Sequence, residues 1–515
     1  MTWPQAIVLS THATDDQDVF FNLWRLRWIA HALSSHGSLF DANIFHPERG
    51  VLAYSDALLV EGVLGAPLLY AGVPPVLVHN LLLLGAFVVS GVGMFVLARH
   101  LTGSTGGAVA AGVIFAFAPY RFAHYIHLEL QWAIWSPWAF WALQRTIETG
   151  SIRFGLLTGL CLTLQMASSV YYGIFLFVLI PVVALPQLIT LGGRRLARTA
   201  GALAFGLALA AMAGWLYSRP YTEASARVGT RSIFEVRRFS ARPRDYRFAT
   251  PTNVLYGSPK AAGTERQLFP GLLPLLLTVA GLLLVRPTIP AIAYLIGLVF
   301  AFELSLGVYG QLYPFLYEHV GVFQGLRAPS RASIFVLLFL GVLTAQGIAA
   351  LTSSLSIRTR HAVAVVVCVG LLLEYRVRAL PLLPYHNEPP PLYAHLAGRA
   401  PGIVAEFPMP TTESPVNHEA RFAYMSTFHW MPLVNGYSGF YPPSYLGRLE
   451  RQAPFPDSSS IAALRRDNVK YVIVHDDGYG REERLRIVEE SMRFGLKWLA
   501  DYDDGWGSGT VLELH

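Results

Sequence analysis

Apolar runs separated by short polar connections dominate the chain up to about residue 375. A helix needs about 20 mainly apolar residues to cross a bilayer, and fewer where it is shielded by neighbours, so the pattern predicts about ten spans. They fall near 76–98, 105–119, 131–145, 154–169, 171–190, 198–217, 269–285, 289–307, 332–350 and 361–375. Two crossings between 154 and 190 require a tight turn at Ser168-Ser169-Val170-Tyr171-Tyr172-Gly173, since a single crossing would invert every later connection. Beyond the stiff spacer Pro389-Pro390-Pro391 the pattern changes. Strands are predicted at 402–407, 470–475 and 509–514 and helices at 459–466 and 482–494. The expected fold class is an α-helical polytopic membrane protein of about ten spans with a C-terminal soluble α/β domain. Three segments follow: 1–75 with a polar loop and interface helices, 76–388 in the membrane, and 389–515 outside it.

Composition agrees with that class. Charged residues are 14% of the chain and hydrophobic ones 53%, with a positive mean hydropathy of +0.42. The net charge of +6 is carried mostly by arginine and sits in short connections, which excludes a basic nucleic-acid-binding tail. Basic residues recur at every second connection: Arg99, Arg145 to Arg153, Arg194-Arg195 with Arg198, Arg286, and Arg358 with Arg360. The positive-inside rule assigns those turns to the cytoplasm and 11–75, 119–130, 218–268, 308–331 and 376–515 to the opposite face. Cys161 and Cys368 lie in separate apolar runs, so no disulfide framework or CxxC metal site is available.

Chemistry concentrates first in Thr11 to Leu33, where Asp15, Asp16 and Asp18 precede an amphipathic segment from Val19 to Ser34. Phe20, Leu23, Trp24, Trp28 and Ala32 share a side at helical spacing, so this helix is expected to lie flat in the membrane interface. Carboxylates held there can abstract a proton, whereas helix capping uses only one of them. A second polar segment, 40–70, carries turns at Asp41-Ala42-Asn43 and Pro47-Glu48-Arg49-Gly50 and then an amphipathic helix.

The loop 119–130 offers Arg121, His124, His127 and Glu129 between two spans. Two histidines three apart with no third ligand nearby do not define a zinc site, so a cavity-lining role is expected and no metal or other cofactor is assigned. Arg327 and Arg331, four apart at the start of a span, suit a bidentate clamp on phosphate. The loop 219–268 adds Arg237, Arg238, Arg242, Arg244 and Arg266, which favours an anionic partner or lipid headgroups. In the last segment, Ser426 to Trp430 and Asn435 to Pro442 combine aromatic faces with amides and hydroxyls, which suits either a sugar or the domain's own core. Asp476, Asp477 and Gly478 read as a strand-end turn.

This order of features resembles the GT-C superfamily of polytopic membrane glycosyltransferases, and more narrowly its bacterial multi-spanning members. The resemblance rests on Thr11 to Asp18 with Trp24, Trp28 and His31-Ala32-Leu33, on Asp41-Ala42-Asn43-Ile44-Phe45 and Pro47, and on His127-Leu128-Glu129. Leu268 to Gly271, Gly325 to Arg331 and Asn435 to Gly439 extend it over nearly the whole chain. It implies an inverting transfer from a polyprenyl-phosphate sugar on the outer face of a bacterial inner membrane, with the C-terminal domain extracytoplasmic. It also implies Asp18, Asp16 or Asp15 as the acid that activates the acceptor, with Asp18 first, and Glu129, Arg121 or His127 in support. Arg327 and Arg331 would hold the lipid phosphate; His124 and His127, which share a face on a helical turn, are themselves candidates to bind a phosphate. Members of the superfamily begin with a full first span, so the ten residues Met1 to Ser10 are expected to be the remainder of one, the alternative being a segment that lies in the interface. The alternatives are a flippase for a lipid-linked anionic glycan and a non-catalytic glycan-binding subunit. Transporters place polar groups near mid-membrane, often in paired repeats, whereas here they gather at one face and no repeat is seen. The expected partners are the donor lipid and the bilayer, with oligomeric state left open.

Overall fold

The computed structural model describes residues 2–14, 17–258, 263–284, 287–413, 418–503 and 507–515. Contacts divide the chain into two compact units, one gathering Leu81–Arg219 and Thr230–Leu380, the other Gln5–Asn80, Pro220–Gly229 and Pro381–His515.

A helix lies at each of the ten expected spans: Pro75–Thr102, Thr105–Phe117, Trp135–Thr149, Ile152–Ser168, Val170–Leu188, Gly193–Val228, Leu272–Leu284, Ile289–Ser305, Ser333–Leu351 and Ile357–Glu374. Among the described residues, five helical segments are by themselves long and apolar enough to cross a membrane. The chain is a multi-pass membrane protein. Helix ends follow local chemistry. Ser104, Thr288 and Ser356 accept from the backbone N–H groups of Gly107, Ala291 and Thr359 and cap three of the helices. Gly150, at φ +62°, ends Trp135–Thr149 in the left-handed region. The break expected near Ser168 is one residue, Ser169, whose extended backbone separates two helices.

Helices in lipid gain little from hydrophobic burial against one another, so close approach at small residues matters. A Cβ on Gly155 would stand 2.2 Å from the Ala202 carbonyl oxygen, and one on Gly159 2.2 Å from that of Gly206. The Leu268 to Gly271 motif is an irregular connection into helix Leu272–Leu284: Tyr375 donates to the Pro270 carbonyl at 2.7 Å, and Glu374 accepts from the Leu272 amide at 2.5 Å.

The other unit contains a four-stranded sheet in the order Ile403–Phe407, Val469–His475, Gly509–Leu514, Leu496–Tyr502. The first pair is parallel and the other two are antiparallel. Leu496–Tyr502 escapes the sequence pattern because it is an edge strand whose only buried residue is Leu496. The helices Glu419–Ser426 and Pro443–Gln452 are also additions to the expected alternation.

One expectation is corrected. Helix Asp18–Ser35 does not present a polar face to water, because Asn22 and Arg25 are buried along with Phe20, Leu23, Trp24 and Trp28. The Arg25 guanidinium donates to the Asp56 carbonyl and to Asn22, so the polar face is satisfied inside the protein. Phe20 packs on Tyr385 and Tyr424, while His31 stacks on Trp430 with centroids 4.0 Å apart. The exposed apolar face belongs instead to Leu59–Tyr70, through Val63, Leu64, Leu68 and Tyr70.

Candidate functional site

Asp15 and Asp16 lie outside the described residues. Asp18 opens helix Asp18–Ser35, where Gln17, the preceding residue, makes no side-chain capping bond. The Asp18 carboxylate accepts from the Tyr437 hydroxyl at 2.9 Å. Tyr437 belongs to the Asn435 to Gly439 stretch, and the reason that stretch is fixed lies in the sheet. Asn435 is fully buried, accepts from the Glu406 amide at 2.8 Å, donates to the Glu406 carbonyl at 2.9 Å and donates to Glu419 at 3.0 Å. Glu419 also accepts from the Gly436 amide at 2.7 Å and from Tyr445 at 2.8 Å. Burial, helped by the charge of Glu406, raises the Glu419 carboxyl to about 7 against these donors. Glu406 in turn accepts from Tyr393 at 2.7 Å and lies 2.7 Å from His475 Nε2.

Asn435 is therefore a structural residue, and Trp430, stacked on His31, is a packing one. Asn43 of the 41–47 turn has a similar role, accepting from Trp24 Nε1 at 3.1 Å and donating to Ser426 at 2.9 Å. Asp476 and Asp477 do close a strand-end turn, paired with Arg484 and Arg421 respectively. A cavity of about 360 Å³ in the same unit is lined by Phe40, Asp41, Arg49, Glu223 and Arg227 among others.

The membrane unit holds a second polar centre. The loop after helix Thr105–Phe117 folds back because Gln131 Nε2 donates to the carbonyls of Arg121 at 3.0 Å and His124 at 2.6 Å. His124 thereby lies 3.8 Å from Glu265, beyond hydrogen-bond reach. Burial holds its imidazole neutral, at about 3, against the attraction of Glu265. Arg331 donates to Glu265 through Nε at 2.9 Å and Nη2 at 2.6 Å, and Ser330 adds a bond at 3.3 Å. Burial alone would raise the Glu265 carboxyl, but the Arg331 guanidinium bonded to it holds it well below the ordinary carboxylate range. His127 lies 5.4 Å from His124 between ring centroids, and Glu129 is an electrostatic neighbour of the same group.

The structure thus brings His124, His127, Glu129 and Arg331 around Glu265, a residue that sequence reasoning passes over. Its signal was present: it is one of few acids in an arginine-rich loop. Two expected ligands stand apart from this group. Arg121 is fully buried, with its guanidinium 5.0 Å from the Phe87 centroid and 5.9 Å from that of Phe115. Arg327 is half-buried over the Phe239 ring at 5.4 Å. The expected Arg327–Arg331 clamp is therefore divided, because a buried guanidinium needs a counter-ion and Arg331 has taken Glu265.

The loop 219–268 divides its cations in the same way. Arg266 pairs with buried Asp245 at 2.8 Å and Arg231 with Glu235 at 2.9 Å. Arg237, Arg238, Arg244 and Arg247 are exposed. The Asn253 turn is structural, its side chain accepting from the amides of Leu255 and Tyr256 at 3.0 and 2.8 Å. Among the described residues no group of His, Cys, Asp or Glu side chains is arranged to hold a metal ion.

No protein-family model and no curated protein sequence matches this chain. Solved structures do. The mycobacterial arabinofuranosyltransferase AftD aligns over 98% of this chain and 38% of its own, with a TM-score of 0.64 and 15% identity. The oligosaccharyltransferase of Archaeoglobus fulgidus aligns over 91% of this chain and 67% of its own, with a TM-score of 0.50 and 12% identity. ArnT from Cupriavidus metallidurans, bound to undecaprenyl phosphate, aligns over 99% and 95% with a TM-score of 0.48 and 12% identity. This chain spans little over a third of AftD. The protein has the fold of the GT-C membrane glycosyltransferases.

Proposed function

We propose that this chain is an inverting membrane glycosyltransferase, moving a sugar from a polyprenyl-phosphate donor to an acceptor hydroxyl at the outer face of a bacterial inner membrane. The observation that carries the reading is the Asp18 carboxylate: it opens its helix, is partly exposed, and is held by a hydroxyl from the far end of the chain. In the reaction Asp18, or its neighbour Asp16 or Asp15, takes the proton of the acceptor hydroxyl. The acceptor oxygen forms its bond to the anomeric carbon as the bond to the phosphate breaks, and the phosphate leaves with that electron pair. The growing charge of the phosphate calls for cations, and Arg327 with the exposed arginines of 237–247 are those the membrane unit leaves available. Glu129, His127, His124 and the Glu265–Arg331 pair line the polar region of the membrane unit, and Arg121 supports that loop from within the helices. The cavity lined by Phe40, Asp41, Arg49, Glu223 and Arg227 suits a polyhydroxylated acceptor, with an aromatic face and charged groups to pair its hydroxyls. The C-terminal unit lies outside the cytoplasm in this scheme, as the alternation of basic connections requires.

The test replaces Asp15, Asp16 and Asp18 singly by Asn and follows transfer from labelled polyprenyl-phosphate arabinofuranose, mannose and glucose. Loss of turnover in the Asp18 variant is expected; full turnover in all three variants refutes the mechanism.

A further inference from the structure

Asp18 and Tyr437 are separated by 419 positions, yet their side chains meet at 2.9 Å. Little about Tyr437 is left to chance. Its ring stands edge-on to Phe21, with centroids 5.2 Å apart at 75°, and Phe21 is stacked on Trp24 at 5.4 Å. The backbone that launches it is held at Asn435 and Gly436 by the Glu406 peptide and by Glu419. Gly436 admits no side chain, since a Cβ there would stand 2.6 Å from the Phe45 ring. Phe45 is itself tied to this loop, its amide donating to the Asn435 carbonyl at 2.9 Å. A strand, a helix and the 41–47 turn therefore fix the origin of one phenol, whose hydroxyl ends on a carboxylate. Tyr437 and Asp18 are both partly exposed, unlike the buried Asn435 and Glu419 behind them.

We infer that Tyr437 is a positioning residue for Asp18: its hydroxyl fixes the rotamer of the carboxylate that receives the acceptor proton, so the C-terminal segment completes the reacting centre. The inference rests on the transfer reading above. A carboxylate free to rotate about two side-chain bonds spends most of its time misaligned, and misplacement of about 1 Å in such a group costs on the order of a hundredfold in rate. Tyr437 touches neither donor nor acceptor in this role and leaves donor binding alone.

The experiment compares Tyr437→Phe, Asp18→Asn and the double variant in the full chain, using whichever of polyprenyl-phosphate arabinofuranose, mannose and glucose the wild type consumes. Phe keeps the ring against Phe21, so folding is preserved. The expected result is a kcat at least tenfold lower in Tyr437→Phe with donor KM within twofold of wild type, and a double variant no slower than Asp18→Asn. A wild-type kcat in Tyr437→Phe overturns the inference, as does a double variant a further tenfold below Asp18→Asn, because either result means Tyr437 does not act through Asp18. Full turnover in Asp18→Asn instead refutes the choice of Asp18 as base, which is a separate failure. A wild type that consumes none of the three donors refutes the transfer reading and the inference with it.

Discussion

Glu419 makes the stability of the C-terminal unit depend on pH. Its carboxyl is fully buried and receives three donors, from Asn435, Gly436 and Tyr445. Burial outweighs those donors and lifts the group from 4.5 to about 7. Below 4.5 the carboxyl is protonated in folded and unfolded chains alike and contributes no pH dependence. Between 4.5 and about 7 the unfolded chain sheds a proton that the folded chain keeps, so stability falls as pH rises. Above 7 both states are ionised, and the interval from 4.5 to about 7 amounts to roughly 3 kcal/mol at about 1.36 kcal/mol per pH unit. The loss falls on the bonds that anchor Gly436, one residue before Tyr437.

Glu419→Gln keeps the size of the side chain and one acceptor oxygen but cannot ionise. Hydrogen exchange of peptides covering Ile403–Phe407 and Val469–His475, followed from pH 4.5 to 7.5 and corrected for the intrinsic pH dependence of exchange, reads the opening free energy of this sheet. Wild type is expected to lose protection across that range by roughly 3 kcal/mol more than Glu419→Gln. Other titrating groups are shared by the two proteins and cancel in the difference. Parallel curves refute the argument, because they would mean that the carboxyl titrates in the folded chain as it does in the unfolded one.

Glu265→Gln leaves Arg331 buried without its carboxylate and is expected to destabilise the protein by about 3–5 kcal/mol, read as a lower thermal midpoint in detergent. Adding Arg331→Met recovers part of that loss, and a midpoint unchanged by Glu265→Gln would show that the pair carries no stability. Gly436→Ala drives a methyl into the Phe45 ring and is expected to cost about 1–3 kcal/mol, part of which Phe45→Leu restores. Equal stability of Gly436→Ala and wild type would remove the steric argument for the glycine.

The spans were legible because a bilayer demands long apolar runs and because basic residues recur at every second connection between them. Helix Asp18–Ser35 was misread for a definite reason. The periodicity of Phe20, Trp24 and Trp28 reports that one side of a helix avoids water, but not whether Asn22 and Arg25 on the other side meet water or protein. Their partners come from Asp56 and from residues near His79, too far along the chain for spacing to reveal. The same holds for Asp18, whose partner lies 419 positions away.

Arginine shows most clearly where sequence reasoning stops. Counting cations over 219–268 and 327–331 suggests a broad attraction for anions, but three acids in those loops decide which cations are available. Asp245 neutralises Arg266, Glu235 pairs with Arg231, and Glu265 holds Arg331. Arg266 and Arg331, whose carboxylate partners are largely buried, meet an incoming phosphate at a disadvantage, because the phosphate must displace a bond already made in low dielectric. Exposed Arg237, Arg238, Arg244 and Arg247 and half-buried Arg327 meet no such barrier. The place to look for lipid-phosphate recognition is therefore the least constrained set of arginines, and the position of three acids rather than the number of arginines is what identifies it.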